Sequence, residues 1–190
     1  FGAVGPMHRN VGFDSVAQAM CGSVYMTGEP EQPYRATAPW VDFGTALHCA
    51  FGTMAALMER QKTGKGQMVT GALLATALTV NNAALIEQAL IKPDRIPTRN
   101  RGQTAAPSDI YKARDGWVLV AVTGQPLYAR WAKLMGEPHW LTDARFVDDE
   151  ARGRHGEIIS ERMGRWCAER SCDEAIKILG RTGAGQLVVT

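Results

Sequence analysis

From about Phe43 to Lys62 the residues Leu47, Ala50, Phe51, Met54, Leu57 and Met58 recur at helical spacing, and Gly64 stands where a C-terminal stop is expected. This region reads as one strong helix. Its most apolar stretch, Ala46 to Met58, contains His48 and falls short of the ~20 residues a bilayer span requires, so no membrane span is expected. Upstream, Asp14-Ser15 followed by Val16, Ala17, Ala19 and Met20 predicts a first helix capped by Asp14 and ending near Gly28. Residues 29–39 hold Pro30, Pro33 and Pro39 and read as a loop. After Lys65-Gly66-Gln67, a second long helix is expected from about Ala72 to Leu90.

The stretch from Lys92 to Pro107 changes character. It contains Pro93, Pro97 and Pro107 with several cations and no apolar periodicity, which marks a candidate domain boundary. Beyond it, Ser108–Ala113, then Arg114-Asp115-Gly116, then Trp117–Val122 reads as a β-hairpin whose Asp-Gly supplies a positive-φ turn. The second strand is apolar on both faces and should be central and covered. From Gln125 the pattern is helical, with Leu127, Trp131, Leu134 and Met135 on one face, and further helices are expected near His155–Cys167 and Cys172–Leu179. The expected organisation is residues 1–92, a linker over 93–107, and a small α+β unit over 108–190.

Charge and composition exclude several function classes. Lys and Arg number 21 against 19 Asp and Glu, and the resulting +2 is spread along the chain, which argues against a nucleic-acid binder. Cys21, Cys49, Cys167 and Cys172 form no C-x-x-C pair and read as free thiols in a reducing cytoplasm. His8, His48, His139 and His155 show no i, i+4 pairing, so no metal site is expected. Arg60 to Gln67 combines two glycines with three cations, yet it follows a helix C-terminus, whereas a phosphate loop precedes an N-terminus. A C-terminal turn with cations complementing the helix dipole accounts for it.

Asp42 stands where the long helix begins, and two readings fit. An Asp there can cap the first free amides. The same position also keeps a carboxylate ionised through the helix dipole, and an ionised carboxylate is the form that attacks an acyl carbon. The residues alone leave both readings open. Asp14 and Asp115 have simpler roles as a helix cap and a turn residue.

Five blocks in order carry a likeness to a known family. They are Phe1-Gly2-Ala3-Val4-Gly5-Pro6; Gly12-Phe13-Asp14-Ser15-Val16-Ala17-Gln18 with Thr27-Gly28-Glu29-Pro30; Asp42-Phe43-Gly44-Thr45-Ala46; Glu59 to Gln67; and Asn100-Arg101-Gly102-Gln103 with Ala106-Pro107, Tyr111 and Asp115-Gly116. On these blocks the chain resembles the class III CoA-transferases, also called the CaiB/BaiF family, over nearly its whole length. The resemblance implies an α/β fold: the helix-rich part of a Rossmann-like CoA-transferase large domain over 1–92, then the small α+β domain. It also implies a homodimer whose chains interlock as linked rings, in the cytoplasm.

The resemblance further implies that Asp42 is the nucleophile, passing through an acyl–aspartyl anhydride and an aspartyl-CoA thioester. The implied substrates are coenzyme A, as acyl-CoA, and an acceptor carboxylic acid, with no metal. Asn10, Val11, Gly12 and Phe13 align with a segment that contacts CoA in relatives, and Gly102, Gln103 and Thr104 fall near a loop that covers the active site in the formyl-CoA branch. That loop's glycine run is replaced here by Ala105-Ala106-Pro107. Trp40 could line an acyl pocket. The family also contains racemases, which need a two-sided acid–base pair. They place a histidine where this chain has Phe13, and neither His8 nor His48 is an obvious substitute, so transferase ranks above racemase. The opening on Phe1, without Met or signal peptide, reads as a start inside a domain, which keeps a truncated, non-catalytic oligomerisation module as an alternative.

Overall fold

The computed structural model describes residues 1–183 and the backbone of 186–189. The chain divides into two units, Phe1–Arg99 and Asn100–Thr190, each taken here by itself. The proline-rich stretch 93–107 is shared between them. In the first unit the Arg99 amide donates to the Gly28 carbonyl at 3.1 Å, and in the second the Gly102 amide donates to the Ser108 carbonyl at 2.6 Å.

Every regular element described in the first unit is a helix: α1 (Asp14–Met20), α2 (Ser23–Thr27), α3 (Trp40–Thr63), α4 (Leu73–Val80) and α5 (Asn82–Ile91). No Rossmann-like sheet is seen between Phe1 and Arg99, because the apolar residues there follow helical rather than alternating periodicity. The single helix expected from Asp14 to Gly28 is broken at Gly22, whose φ of 84° is left-handed. Asp14 does not cap it. The extended residue Phe13 occupies the cap position, and Asp14 is the first helical residue. The helix expected over Ala72–Leu90 also breaks, with α4 and α5 bent by 68°. At the break, Asn81 donates its side-chain amide to the Cys21 carbonyl at 2.5 Å.

The helix α3 starts three residues earlier than expected and ends on Gly64 at φ 70°, whose amide donates to the Arg60 carbonyl at 2.8 Å. The Gly64 turn is therefore a helix C-terminus, as expected. At 24 residues α3 is longer than its most apolar stretch and does meet the length and apolarity of a membrane span. Its first half nevertheless packs in protein: the Val41 and Asp42 amides bond to Asp14, while Thr45 and His48 contact Thr76. The core of this unit is small, consisting of Ala17, Cys21, Val41 and Ala77 with Trp40 and Leu73 packed on it. Phe43, Leu47, Phe51, Met54 and Met58 remain exposed along α3.

The second unit contains an antiparallel sheet in the order β1 (Ser108–Lys112), β2 (Trp117–Ala121), β3 (Gln186–Val189). The hairpin pairs Lys112 with Trp117 and Ser108 with Ala121. Its connection differs from expectation, for none of its residues has positive φ. Instead the Ala113 amide donates to the Gly116 carbonyl at 3.0 Å, and Asp115 accepts from the Cys172 amide at 2.8 Å. Strand β2 is central, but only one face is covered: Val118 and Val120 are buried while Trp117 and Leu119 are exposed.

Helices α6 (Gln125–Leu134), α7 (Asp149–Arg154), α8 (Gly156–Ala168) and α9 (Cys172–Thr182) complete the unit. Its core joins Val118 and Val120 to Tyr128, Trp131, Ile159, Met163 and Leu179. A capping box between Ser171 and Glu174 starts α9.

Candidate active site

The first turn of α3 must satisfy its free amides, and the residue in the cap position, Pro39, makes no side-chain bond. The acceptor comes from another helix. Asp14 Oδ2 accepts from the Val41 amide at 2.8 Å and from the Asp42 amide at 3.1 Å. Asp14 is only 8% exposed, and Gln18, one turn along α1, donates to its other oxygen. Gln18 also accepts from the Ala36 amide at 3.0 Å, which ties the proline-rich loop to the same turn. Four residues of α1 thus hold both the loop before α3 and the start of α3.

This arrangement separates the two readings of Asp42. The capping role belongs to Asp14, 28 residues upstream. Asp42 is the third residue of α3, is exposed, and makes no side-chain hydrogen bond or ion pair with any described residue. An unengaged carboxylate beside two amides and a helix N-terminus is held ready to act as a nucleophile, with the N-terminus favouring negative charge there.

Other expected site residues fall in different places. Phe13 is exposed and adjoins Asp14, so α1 brings it to the same end of α3; Asn10 and Val11 are exposed and Gly12 half-buried in the loop before it. Trp40 opens α3 and packs on the small core of Ala17, Cys21, Val41 and Ala77. Gly102, Gln103 and Thr104 belong to the second unit, where Gly153 of α7 closes directly on the Gln103 backbone, too tightly for any side chain at that glycine. A cavity of about 330 Å³ in the first unit is walled by Cys21, Tyr25, Asn81, Leu85 and Arg95, and none of the expected site residues lines it. Among the described residues no cluster of three His, Cys, Asp or Glu side chains could hold a metal.

The residue that sequence reasoning missed is Asp14 as a partner of Asp42. A signal was present. Asp14 and Gln18 lie at i and i+4 on the face of α1 that also carries Ala17 and Cys21, and a polar pair on an apolar face implies an engaged acceptor.

The model of CoA-transferase family III matches residues 1–189. The chain belongs to that family. It is 32% identical over 178 residues to the succinyl-CoA–D-citramalate CoA-transferase of Chloroflexus aurantiacus, covering 92% of this chain and 44% of that protein. It is 27% identical to the formyl-CoA:oxalate CoA-transferase of Rhodopseudomonas palustris, covering 92% and 47%. Among solved structures, a CaiB/BaiF family protein from Brucella suis superposes with a TM-score of 0.71 at 26% identity, over 98% of this chain and 50% of that one. A Mycobacterium tuberculosis protein at 21% identity shares the fold with a TM-score of 0.80. The family III chain spans about half the length of the curated relatives it matches.

Proposed function

We propose that this family III chain carries the nucleophile of an enzyme that moves CoA between carboxylic acids, with Asp42 as that nucleophile. The observation that supports it is the unengaged Asp42 carboxylate on a turn whose amides Asp14 already caps. An Asp42 oxygen attacks the thioester carbonyl of acyl-CoA, the C–S bond breaks, and CoA thiolate leaves an acyl–aspartyl anhydride. The thiolate attacks the aspartyl carbonyl, releasing the donor carboxylate and forming an aspartyl-CoA thioester. The acceptor carboxylate then attacks that same carbonyl, expelling thiolate and giving a second anhydride. Attack of thiolate on the acceptor's acyl carbon delivers the new acyl-CoA and restores Asp42. No net proton is needed, which suits a site whose acting group is a carboxylate, and covalent catalysis divides one difficult exchange into easier steps.

The exposed stretch Asn10 to Phe13 is assigned to CoA contact, because Phe13 leads directly into the capping Asp14. Trp40 is assigned to one wall of the acyl site, and Gly102, Gln103 and Thr104 to the substrate-covering segment. Residues 1–92 take the place of the helix-rich part of the relatives' Rossmann-like large domain, followed by a linker over 93–107 and the small domain over 108–190. The apolar surface of α3 suits a homodimer, interlocked in full-length relatives. Four free thiols, three of them buried, suit a reducing cytoplasm. Racemisation is disfavoured, since the Phe13 ring has no proton to transfer.

Succinyl-CoA is the donor to test first, because the Chloroflexus relative is named for it. Incubation with succinyl-CoA and hydroxylamine, followed by mass spectrometry, should place the adduct on Asp42. The substitution Asp42→Asn keeps capping chemistry but removes the anionic nucleophile and should lower exchange on the order of a thousandfold or more. Exchange surviving in Asp42→Asn would overturn the assignment. No heat on calorimetric titration with CoA would favour a non-catalytic oligomerisation module.

A further inference from the structure

The reading in this section rests on Asp42 as the nucleophile and concerns how that side chain is aimed. Thr76, on α4, is almost fully buried. Its hydroxyl oxygen lies 2.9 Å from Thr45 Oγ1 and 3.4 Å from His48 Nδ1, and Thr45 Oγ1 lies 2.7 Å from the Val41 carbonyl oxygen. Counting protons fixes the directions. A carbonyl only accepts, so Thr45 commits its single proton to Val41. Thr76 must then donate to Thr45, and it accepts from His48, which carries a proton on Nδ1. Only this assignment satisfies all three contacts at once.

The end of the chain is what matters. The Val41 carbonyl and the Asp42 amide belong to one peptide plane. Its oxygen is held by Thr45, and its N–H is held by Asp14. The plane from which the Asp42 side chain departs is therefore fixed at both polar ends, by α1 on one side and through α4 on the other. A threonine bonding back to its own helix is ordinary, and Thr53 and Thr79 do so toward solvent. Thr45 differs because a buried hydroxyl from another helix holds it. Gly44 permits the approach: a Cβ there would stand 3.1 Å from Thr76 Cγ2.

We propose that Thr76 is a positioning residue for the Asp42 carboxylate, acting through Thr45 on the Val41–Asp42 peptide, with His48 orienting its hydroxyl. Thr76→Val keeps the shape and removes the hydroxyl, whereas Thr76→Ser keeps it. With succinyl-CoA as donor and a dicarboxylate acceptor, Thr76→Val should lower kcat about ten- to a hundredfold with little change in KM, since small misplacements of a reacting group cost that much. Thr76→Ser should restore most of the rate. Amide hydrogen exchange at Val41 and Asp42 should be about tenfold faster in Thr76→Val than in Thr76→Ser, through local opening of that turn. Equal kcat and equal exchange in the two variants would overturn the proposal, as would an equal loss of kcat in both. A wild-type chain without CoA exchange, or Asp42→Asn retaining it, would instead reject the function, and the amide measurement would then decide the positioning by itself.

Discussion

The two units of this chain are similar in size but handle their apolar residues in opposite ways. The unit Asn100–Thr190 folds a three-stranded sheet against helices and gathers Tyr128, Trp131, Phe146, Met163 and Leu179 into one core. The unit Phe1–Arg99 buries four residues in its core and leaves Leu47 72% and Phe51 79% exposed on its longest helix. Apolar content does not by itself make a core. A layer must face it, and in the first unit the helices meet through small residues and hydrogen bonds instead. That unit's contacts serve to place the turn bearing Asp42.

The largest predicted contrast follows directly. Trp131 is fully buried, stacks on Tyr128 with ring centroids 5.6 Å apart, and donates its indole N–H to the Met163 sulfur. Trp131→Ala should destabilise the second unit by about 3–5 kcal/mol in urea denaturation. Phe51→Ala in the first should change stability by no more than about 0.5 kcal/mol, as for an exposed side chain. Comparable losses would show that α3 is covered and would break the comparison.

Arg152 sharpens it. A guanidinium in the core of the second unit donates to Phe146 O, Asp149 Oδ1 and Gln125 Oε1 and lies 4.2 Å from the Tyr128 ring centre. Arg152→Ala leaves Asp149 without its cation and should cost about 3 kcal/mol. Arg152→Lys should recover only part, because an ammonium cannot reproduce the planar fork. Full recovery by Lys, measured as the urea midpoint, would reduce the site to a simple charge pair.

The same contrast explains what could be read from the sequence. The hairpin over 108–121 and the helices near 125–134, 156–168 and 172–182 were legible because local periodicity and local packing agree there. The breaks at Gly22 and Asn81 were not, since each depends on a distant contact: Asn81 reaches the Cys21 carbonyl 60 residues earlier. Asp42 was legible as a candidate, but its capping role was assigned from its position alone. A window that reads caps next to helices cannot see an acceptor 28 residues away. Where α1 supplied that acceptor, the buried pair Asp14 and Gln18 was the clue.

Thiol chemistry tests the comparison more gently. Burial pushes the Cys167 thiol up to about 11, outweighing the opposing charge of Arg170, whereas Cys49 on α3 is only half-buried. A folded value above the ordinary 9.0 means the stabilisation is complete below about pH 9 and is lost as pH rises toward 11. Iodoacetamide labelling of the native chain at pH 8.5, a value about that of a free thiol, should modify Cys49 well before Cys167. Labelling in the reverse order would mean that the second unit opens more readily than the first.

The smallest effect lies at the acid end of the second unit. The Arg145 side chain, hydrogen-bonded to Asp143 at 2.7 Å, and the Arg145 amide hold the Asp143 carboxyl down to about 2, below the ordinary 3.8. A depressed folded-state value contributes stability above the unfolded value and loses it as the proton returns. Its contribution is therefore complete above about pH 4 and disappears as pH falls toward 2. The pair is solvent-accessible, so the change should be small and screened by salt. Thermal denaturation from pH 5 to pH 2 should show the wild type losing slightly more Tm than Asp143→Asn, with the difference shrinking at high ionic strength. Parallel curves for the two proteins would mean that this ion pair, though well formed, adds nothing to the unit whose core carries the stability.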